Sequence, residues 1–196
     1  MSPNTTRRIR TARKIQATAV DLAARHGLAN VTIDEIARDA GISTRTFFNY
    51  YPYKEAALMG PPPDYPVEAS ERFVTGTGPL IRDLERLIAA HLSRYLSDRE
   101  MVGHIHRLAA TDPKVSALYS SSVLARRAQM RELLGRRMPA TDRRLIEILA
   151  AAIVGATNAA TTEWISSGRD DFVAIAHEHL ALILPAAGLL SAEPSG

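Results

Sequence analysis

The sequence predicts an all-α protein. Apolar residues recur at spacings of three and four along most of the chain, no alternating run is long enough for a useful strand, and glycine or proline falls where the helical patterns stop. The composition, 46% apolar and 23% charged, is that of an ordinary globular chain. No stretch approaches roughly 18 consecutive apolar residues, and the apolar run 180–184 ends at Pro185, so no membrane partner is expected. Gln16 and Asp21 interrupt the segment after the basic start, which argues against a signal peptide and for a cytoplasmic location. With no cysteine in the chain, disulfides, thiolate metal sites and cysteine nucleophiles are excluded.

The first helix is expected over residues 5–26. Ile15, Ala19, Leu22 and Ala23 share one face, Gly27 follows at a C-terminal capping position, and the first two turns are strongly basic. The second helix starts at Thr32. Thr32 and Glu35 have the spacing of a capping box, and Val31 and Ile36 occupy the two positions of a hydrophobic staple. Ile33, Ile36, Ala37 and Ala40 carry one apolar stripe to Gly41, where a left-handed residue ends the helix. Ser43 then caps a third helix over 43–51, and Ile42 and Phe47 repeat the staple. Two short helices joined by a tight glycine turn and braced by a preceding helix make a helix-turn-helix. Its second helix can enter a DNA major groove with its N-terminal residues at base edges.

The charge distribution fits that reading. Net charge is +3, but residues 1–58 hold nine Arg or Lys against five Asp or Glu, while the remainder holds 15 against 16. A basic segment on a near-neutral remainder suits a polyanion, although a solvated basic face gives the same count. On the third helix, Phe47 and Tyr51 are expected in the core with Ile36 and Ala40, which leaves Thr44, Arg45, Thr46, Asn49 and Tyr50 facing outward. Arg45 can donate two hydrogen bonds to guanine, and Thr44 can touch a base edge or a thymine methyl. Thr46 and Tyr50 can donate to phosphate oxygens, helped by the positive end of the helix dipole near Ser43. Lys54, at the start of the fourth helix, is expected to meet a phosphate as a point charge.

Residues 32–58, TIDEIARDAGISTRTFFNYYPYKEAAL, resemble the DNA-binding signature of the TetR/AcrR family of one-component repressors. The matching positions are Thr32, Ile36, Ala37, Ala40, Gly41, Ile42, Ser43, Thr46, Tyr51, Pro52, Lys54 and Glu55, and the run from Arg45 to Tyr50 resembles an actinobacterial branch. Phe48 stands where the family's tyrosine would contact phosphate. Tyr50, where histidine is common, can supply that hydroxyl, and Tyr53 replaces the usual small capping residue before Lys54. The resemblance implies that double-stranded DNA is bound by Thr32, Ser43, Thr44, Arg45, Thr46, Phe48, Asn49, Tyr50 and Lys54. It implies a DNA-binding domain over 1–58 and a helical regulatory domain over 59–196. The function implied is that of a repressor released from a palindromic operator by a small-molecule inducer.

The fourth helix is expected to stop at Gly60, because Pro61, Pro62 and Pro63 cannot continue it. One or two turns near 68–74 and an irregular stretch holding Gly76, Gly78 and Pro79 follow. Beyond it helices are read near 80–96, 98–110, 113–138, 142–167 and 170–187, for about nine in total. The penultimate helix carries Ala150, Ala151, Ala152, Gly155, Ala156, Ala159 and Ala160, and the last is amphipathic. The resemblance implies that residues 142–187 form a four-helix bundle with a second copy, making a homodimer; an internal hairpin is the alternative.

By residue type, candidates for the inducer pocket are Leu87, His91, Tyr95, Met101, His104, Ile105, Leu108, Tyr119, Val123, Met130, Asn158, Thr162 and Trp164, which suits a partly apolar ligand. Arg126, Arg127 and Arg131 offer a basic patch for an anionic one. His104 and His106, like His177 and His179, are two apart and point in different directions on a helix, so no metal or other cofactor is expected. No nucleophile elbow, phosphate loop or zinc-binding His-Glu pair is present, so no enzyme is expected. The other reading is a non-sensing, architectural DNA-binding factor on the same fold.

Overall fold

A computed structural model of the chain describes residues 3–61, 64–96 and 98–191, with side chains from residue 7 onward. Pro62 and Pro63, two of the expected helix breakers, lie outside the described residues. Eleven α-helices and no strand occur among the described residues. In chain order they are α1 (Pro3–His26), α2 (Ile33–Asp39), α3 (Thr44–Phe48), α4 (Lys54–Met59), α5 (Val67–Thr75) and α6 (Leu80–Leu92). They continue with α7 (Arg99–Thr111), α8 (Pro113–Arg137), α9 (Arg143–Ser166), α10 (Phe172–Ala181) and α11 (Ile183–Gly188). The chain divides into two compact units, residues 1–63 with 98–122, and residues 64–97 with 123–196.

In the first unit, local signals place the short helices. Thr32 and Glu35 form the capping box in full: the Thr32 Oγ1 accepts from the Glu35 amide at 3.2 Å, and the Glu35 Oε2 accepts from the Thr32 amide at 2.8 Å. That bond from the Thr32 backbone holds the Glu35 carboxyl below its ordinary range. Gly41 adopts φ +65°, which lets the chain leave α2 and turn at once into α3. The Ser43 Oγ then accepts from the Thr46 amide at 3.1 Å.

α3 is shorter than its pattern predicts. Pro52 disfavours helical backbone at Tyr51, so the chain leaves the helix after Phe48, and the amides of Tyr50 and Tyr51 both donate to the Phe47 carbonyl. Ile15, Ala19, Ile36, Phe47, Ala57 and Leu58 form the centre of the core, with Phe47 wholly buried. Each large side chain buried in this way stabilises the fold by about 1.5–3 kcal/mol. The Tyr51 hydroxyl donates to the Ala12 carbonyl at 3.1 Å, and burial pushes its pKa up to about 12. Gln16 donates to the Leu58 carbonyl at 3.1 Å, which ties α4 to α1.

In the second unit, α9 and α10 lie together, and Trp164 stacks on Phe172 with ring centroids 4.2 Å apart. At that end Arg169 bridges Glu163 at 3.0 Å and Glu178 at 2.6 Å. The expected single helix over 170–187 is broken at Leu182, because Pro185 has no amide proton and its ring opposes the Ala181 carbonyl. α5 is a nine-residue helix rather than an isolated turn or two, held by the buried Ala69 and Phe73. Arg137 donates to Asp83 at 2.8 Å and to the Gly78 carbonyl at 3.0 Å, a buried ion pair that closes the irregular stretch against α6.

Though neither holds an unbroken apolar run of that length, α9 and the segment Phe172–Ser191 are long and apolar enough, by length and composition, to cross a bilayer. Their apolarity has two faces. One is packed inside the unit, and the other, with Leu145 60%, Ile148 66% and Leu184 82% exposed, is uncovered.

Candidate nucleic-acid interface

α3 divides its side chains between two tasks. Phe47 points into the core, and Arg45, Phe48 and Asn49, three and four residues apart, form an exposed face. The Arg45 guanidinium makes no hydrogen bond or ion pair among the described residues, so its five donors are open to an acceptor such as guanine. The Phe48 ring stands 53% exposed and meets Phe47 edge-on at 5.7 Å, which holds an apolar surface outward where a thymine methyl can pack. Asn49 caps the C-terminal end of α3 through its backbone and leaves its side-chain amide exposed.

The basic turns of α1 are brought to the same surface. The Arg8 guanidinium lies over the Tyr50 ring, 5.4 Å from its centroid. The Lys14 Nζ is 3.5 Å from the point where a Cβ on Gly41 would sit, beside the turn into α3. Arg7, Arg8, Arg10, Arg13, Lys14 and Arg45 are all exposed, and none has an ion pair among the described residues. Sequence reading singled out the basic turns but not their alignment with α3; the signal was Arg8 and Lys14 flanking the apolar stripe of α1.

Several expected contacts are occupied from within. The Thr32 Oγ1 both accepts from Glu35 and donates to it, at 2.8 Å, so this hydroxyl serves the cap and not a phosphate. The Thr44 Oγ1 donates to the Asp34 carboxylate at 2.8 Å, which spends its proton on α2. The hydroxyls of Ser43 and Thr46 pair with each other at 2.9 Å.

The largest correction is Lys54. Its ammonium points inward and donates to the carbonyls of Leu28 at 2.7 Å, Val31 at 2.8 Å and Ala29 at 3.4 Å, because the turn between α1 and α2 leaves the Ala29 and Val31 carbonyls without a backbone partner among the described residues and the Leu28 carbonyl with only the Val31 amide, at 3.3 Å. Tyr53 supplies no side-chain cap to α4, as its bulk predicts. Replacing Lys54 with Met should therefore lower unfolding stability by about 1.5–3 kcal/mol in a denaturant titration and leave the salt dependence of DNA binding unchanged. A flattened salt dependence at unchanged stability would restore the phosphate role.

The residues expected around an inducer do not gather at one place. Met101, Ile105 and Leu108 pack against the core of the first unit, because the apolar face of α7 serves that core. His104 faces the surface, 2.7 Å from Arg107 and 3.6 Å from Glu100. Tyr119 pairs with His106 at 3.2 Å. In the second unit, Trp164 and Met130 are filled core rather than cavity wall, Thr162 is exposed with its hydroxyl on the Asn158 carbonyl, and Val123 is half-buried. Arg127 and Arg131 are committed to Glu147.

Leu87 lines a groove of about 460 Å³ between α5 and α6, with Phe73, Asp83 and Arg86. His91, Tyr95 and Asn158 do come together, with Arg126. His91 is 1% exposed, and desolvation, reinforced by the nearby charges of Arg94 and Arg126, pushes its pKa down to about 3.

Comparison with known proteins agrees with the first unit. Residues 15–58 match the sequence profile of the bacterial regulatory proteins of the tetR family. MftR of Mycobacterium tuberculosis, named for mycofactocin biosynthesis, is 46% identical over 54 residues, covering 28% of this chain and 27% of MftR. The transcriptional regulator EthR of the same organism is 47% identical over 45 residues, covering 23% of this chain and 21% of EthR. The matched segments thus span about a quarter of these relatives' length. Among solved structures, FadR of Thermus thermophilus, a TetR-family repressor solved with lauroyl-CoA, superposes with a TM-score of 0.57 at 22% identity, over 94% of this chain and 98% of that one. FadR of Bacillus halodurans, a fatty acid degradation regulator, gives 0.58 at 19% identity over 89% and 94%. At such identities the likeness is one of fold.

Proposed function

We propose that the chain, whose residues 15–58 match the profile of the tetR family of bacterial regulatory proteins, is a member of that family and a homodimeric, cytoplasmic repressor that releases a palindromic operator on binding a small molecule. The observation that carries the DNA-binding part is the division of α3: its inner face is locked by Phe47, and its outer face, Arg45, Phe48 and Asn49, is held rigid with Arg45 unpaired among the described residues. A side chain that reads bases must be positioned by the fold and left without an internal partner. Six exposed cations on α1 and α3 then supply the attraction to phosphate.

Dimerisation is supported by a stripe on α9. Leu145, Ile148, Ala152, Gly155, Ala159 and Thr162 recur at three and four, and all but the half-buried Ala152 are exposed. A second copy would cover them, together with the exposed Leu182 and Leu184. A dimer presents two copies of α3 to a two-fold symmetric site. Sensing is assigned to residues 64–97 with 123–196, where His91 Nδ1, Arg94 Nε and Arg126 Nε are buried without a hydrogen-bond partner. The lauroyl-CoA held by the Thermus FadR is a precedent for a ligand on this fold, not an identification of the one bound here.

The salt dependence of operator binding tests the proposal. Affinity should fall by about 10³-fold or more between 50 and 200 mM salt, as expected when several phosphates are neutralised in each half of the dimer. A salt-independent affinity would sink it.

A further inference from the structure

Inside the second unit, the end of α6 meets α8 and α9 in a cluster whose hydrogen-bonding capacity is left incomplete. The His91 ring lies 4.8 Å from that of Tyr65 and 5.7 Å from that of Tyr95. Its Nδ1 is buried with no hydrogen-bond partner. Arg126 donates to the Asn158 Oδ1 at 2.9 Å, yet its Nε is buried and unused. The Arg94 Nε is likewise buried and unused, while its outer nitrogen touches the Tyr95 hydroxyl at 3.5 Å. No carboxylate pairs with either guanidinium among the described residues.

Buried charges are normally paired, and a buried donor or acceptor left without a partner is destabilising. Here two cationic N–H donors lack an acceptor, and one imidazole nitrogen lacks any partner. An anion that also carries a hydroxyl, which can donate or accept, would satisfy all three. Tyr65 and Tyr95, on either side of His91, offer ring faces to its body, and the half-exposed Arg94 and Tyr95 open the cluster to solvent.

We propose that this cluster is a binding site for an organic hydroxy-carboxylate, whose carboxylate is held by Arg126 and Arg94 and whose hydroxyl hydrogen-bonds to His91 Nδ1. The inference rests on the reading of this unit as the ligand-sensing part and names the chemistry of what it senses. The site has a two-point code. Removing the charge from the ligand should be felt at the arginines, and removing the hydroxyl should be felt at the histidine.

The test uses the full-length protein and four probes: 2-hydroxybenzoate, 4-hydroxybenzoate, benzoate and 2-hydroxybenzamide, titrated by calorimetry and by thermal melting. At least one hydroxybenzoate should bind, raising Tm by roughly 3–5 °C at about ten times its Kd. Benzoate should bind about 5- to 100-fold more weakly than that isomer, and the amide at least as weakly. In R126Q the preference for acid over amide should disappear; in H91F the preference for a hydroxyl should disappear while the preference for charge remains. Should R126Q lose the wild-type melting transition, R94Q provides the same comparison.

Equal binding of acid and amide by the wild type, survival of both preferences in the variants, or binding of none of the four would overturn the proposal. Operator binding is measured in parallel. A wild type that binds hydroxybenzoate but is not released from DNA contradicts the sensing reading and leaves the site standing, whereas release without discrimination contradicts the site alone.

Discussion

Substituting aspartate for Ile148 should leave the protein monomeric and lower its operator affinity by at least about 100-fold. Ile148 is 66% exposed, so the monomer loses little packing when the side chain changes. In the dimer the same position lies on the stripe from Leu145 to Thr162, and a carboxylate there would be buried against apolar side chains without a cation to pair it. Gly155, on the same stripe, has nothing within 4 Å of where a Cβ would sit, so the second copy's backbone can approach closely. Losing one of two linked DNA-binding heads removes an avidity that ordinarily amounts to 10²–10⁴. Sedimentation gives the oligomeric state, and a melting curve establishes that the variant is folded. An I148D protein that remains dimeric would place the interface elsewhere.

Replacing Arg45 with alanine should cost about 1–3 kcal/mol per half-site, or roughly 5- to 150-fold, and relax base preference at one position of each half-site. The loss should be specific in kind. Arg45 is exposed and contributes no internal contact among the described residues, so the variant's stability should match the wild type. The cations of α1 remain, so affinity for random duplex DNA should fall far less than affinity for the operator. Equal losses on both kinds of DNA would make Arg45 a phosphate contact instead of a base reader.

The first unit was largely legible in the sequence because its signals are local. Thr32 with Glu35, Gly41 and Ser43 each act within four residues, and each formed the bond or backbone turn that its spacing implied. What could not be read locally were contacts between distant segments. Nothing near Lys54 in the sequence says that the carbonyls of Leu28 and Val31 are waiting for it, nor that Asp34 will take the proton of Thr44.

The second unit was legible as helices but not as a site. Apolar periodicity located α6, α8 and α9, yet the same periodicity fits core, interface and pocket wall alike, so Trp164 and Ile105 passed as pocket candidates although both are packing residues. The partners of His91 come from residues 26 positions or more away in sequence at Tyr65 and Arg126. Even the break at Leu182 was signalled by Pro185, whose effect falls three residues upstream of the proline itself.

Whether paired copies of α3 read DNA is tested most directly by selection from a pool of randomised duplexes. The wild-type protein should enrich a two-fold symmetric sequence whose half-sites are centred about one helical turn apart or a multiple of it, and R45A should enrich the same site with one base pair in each half no longer specified. Enrichment of no sequence, or of one without two-fold symmetry, would contradict that reading.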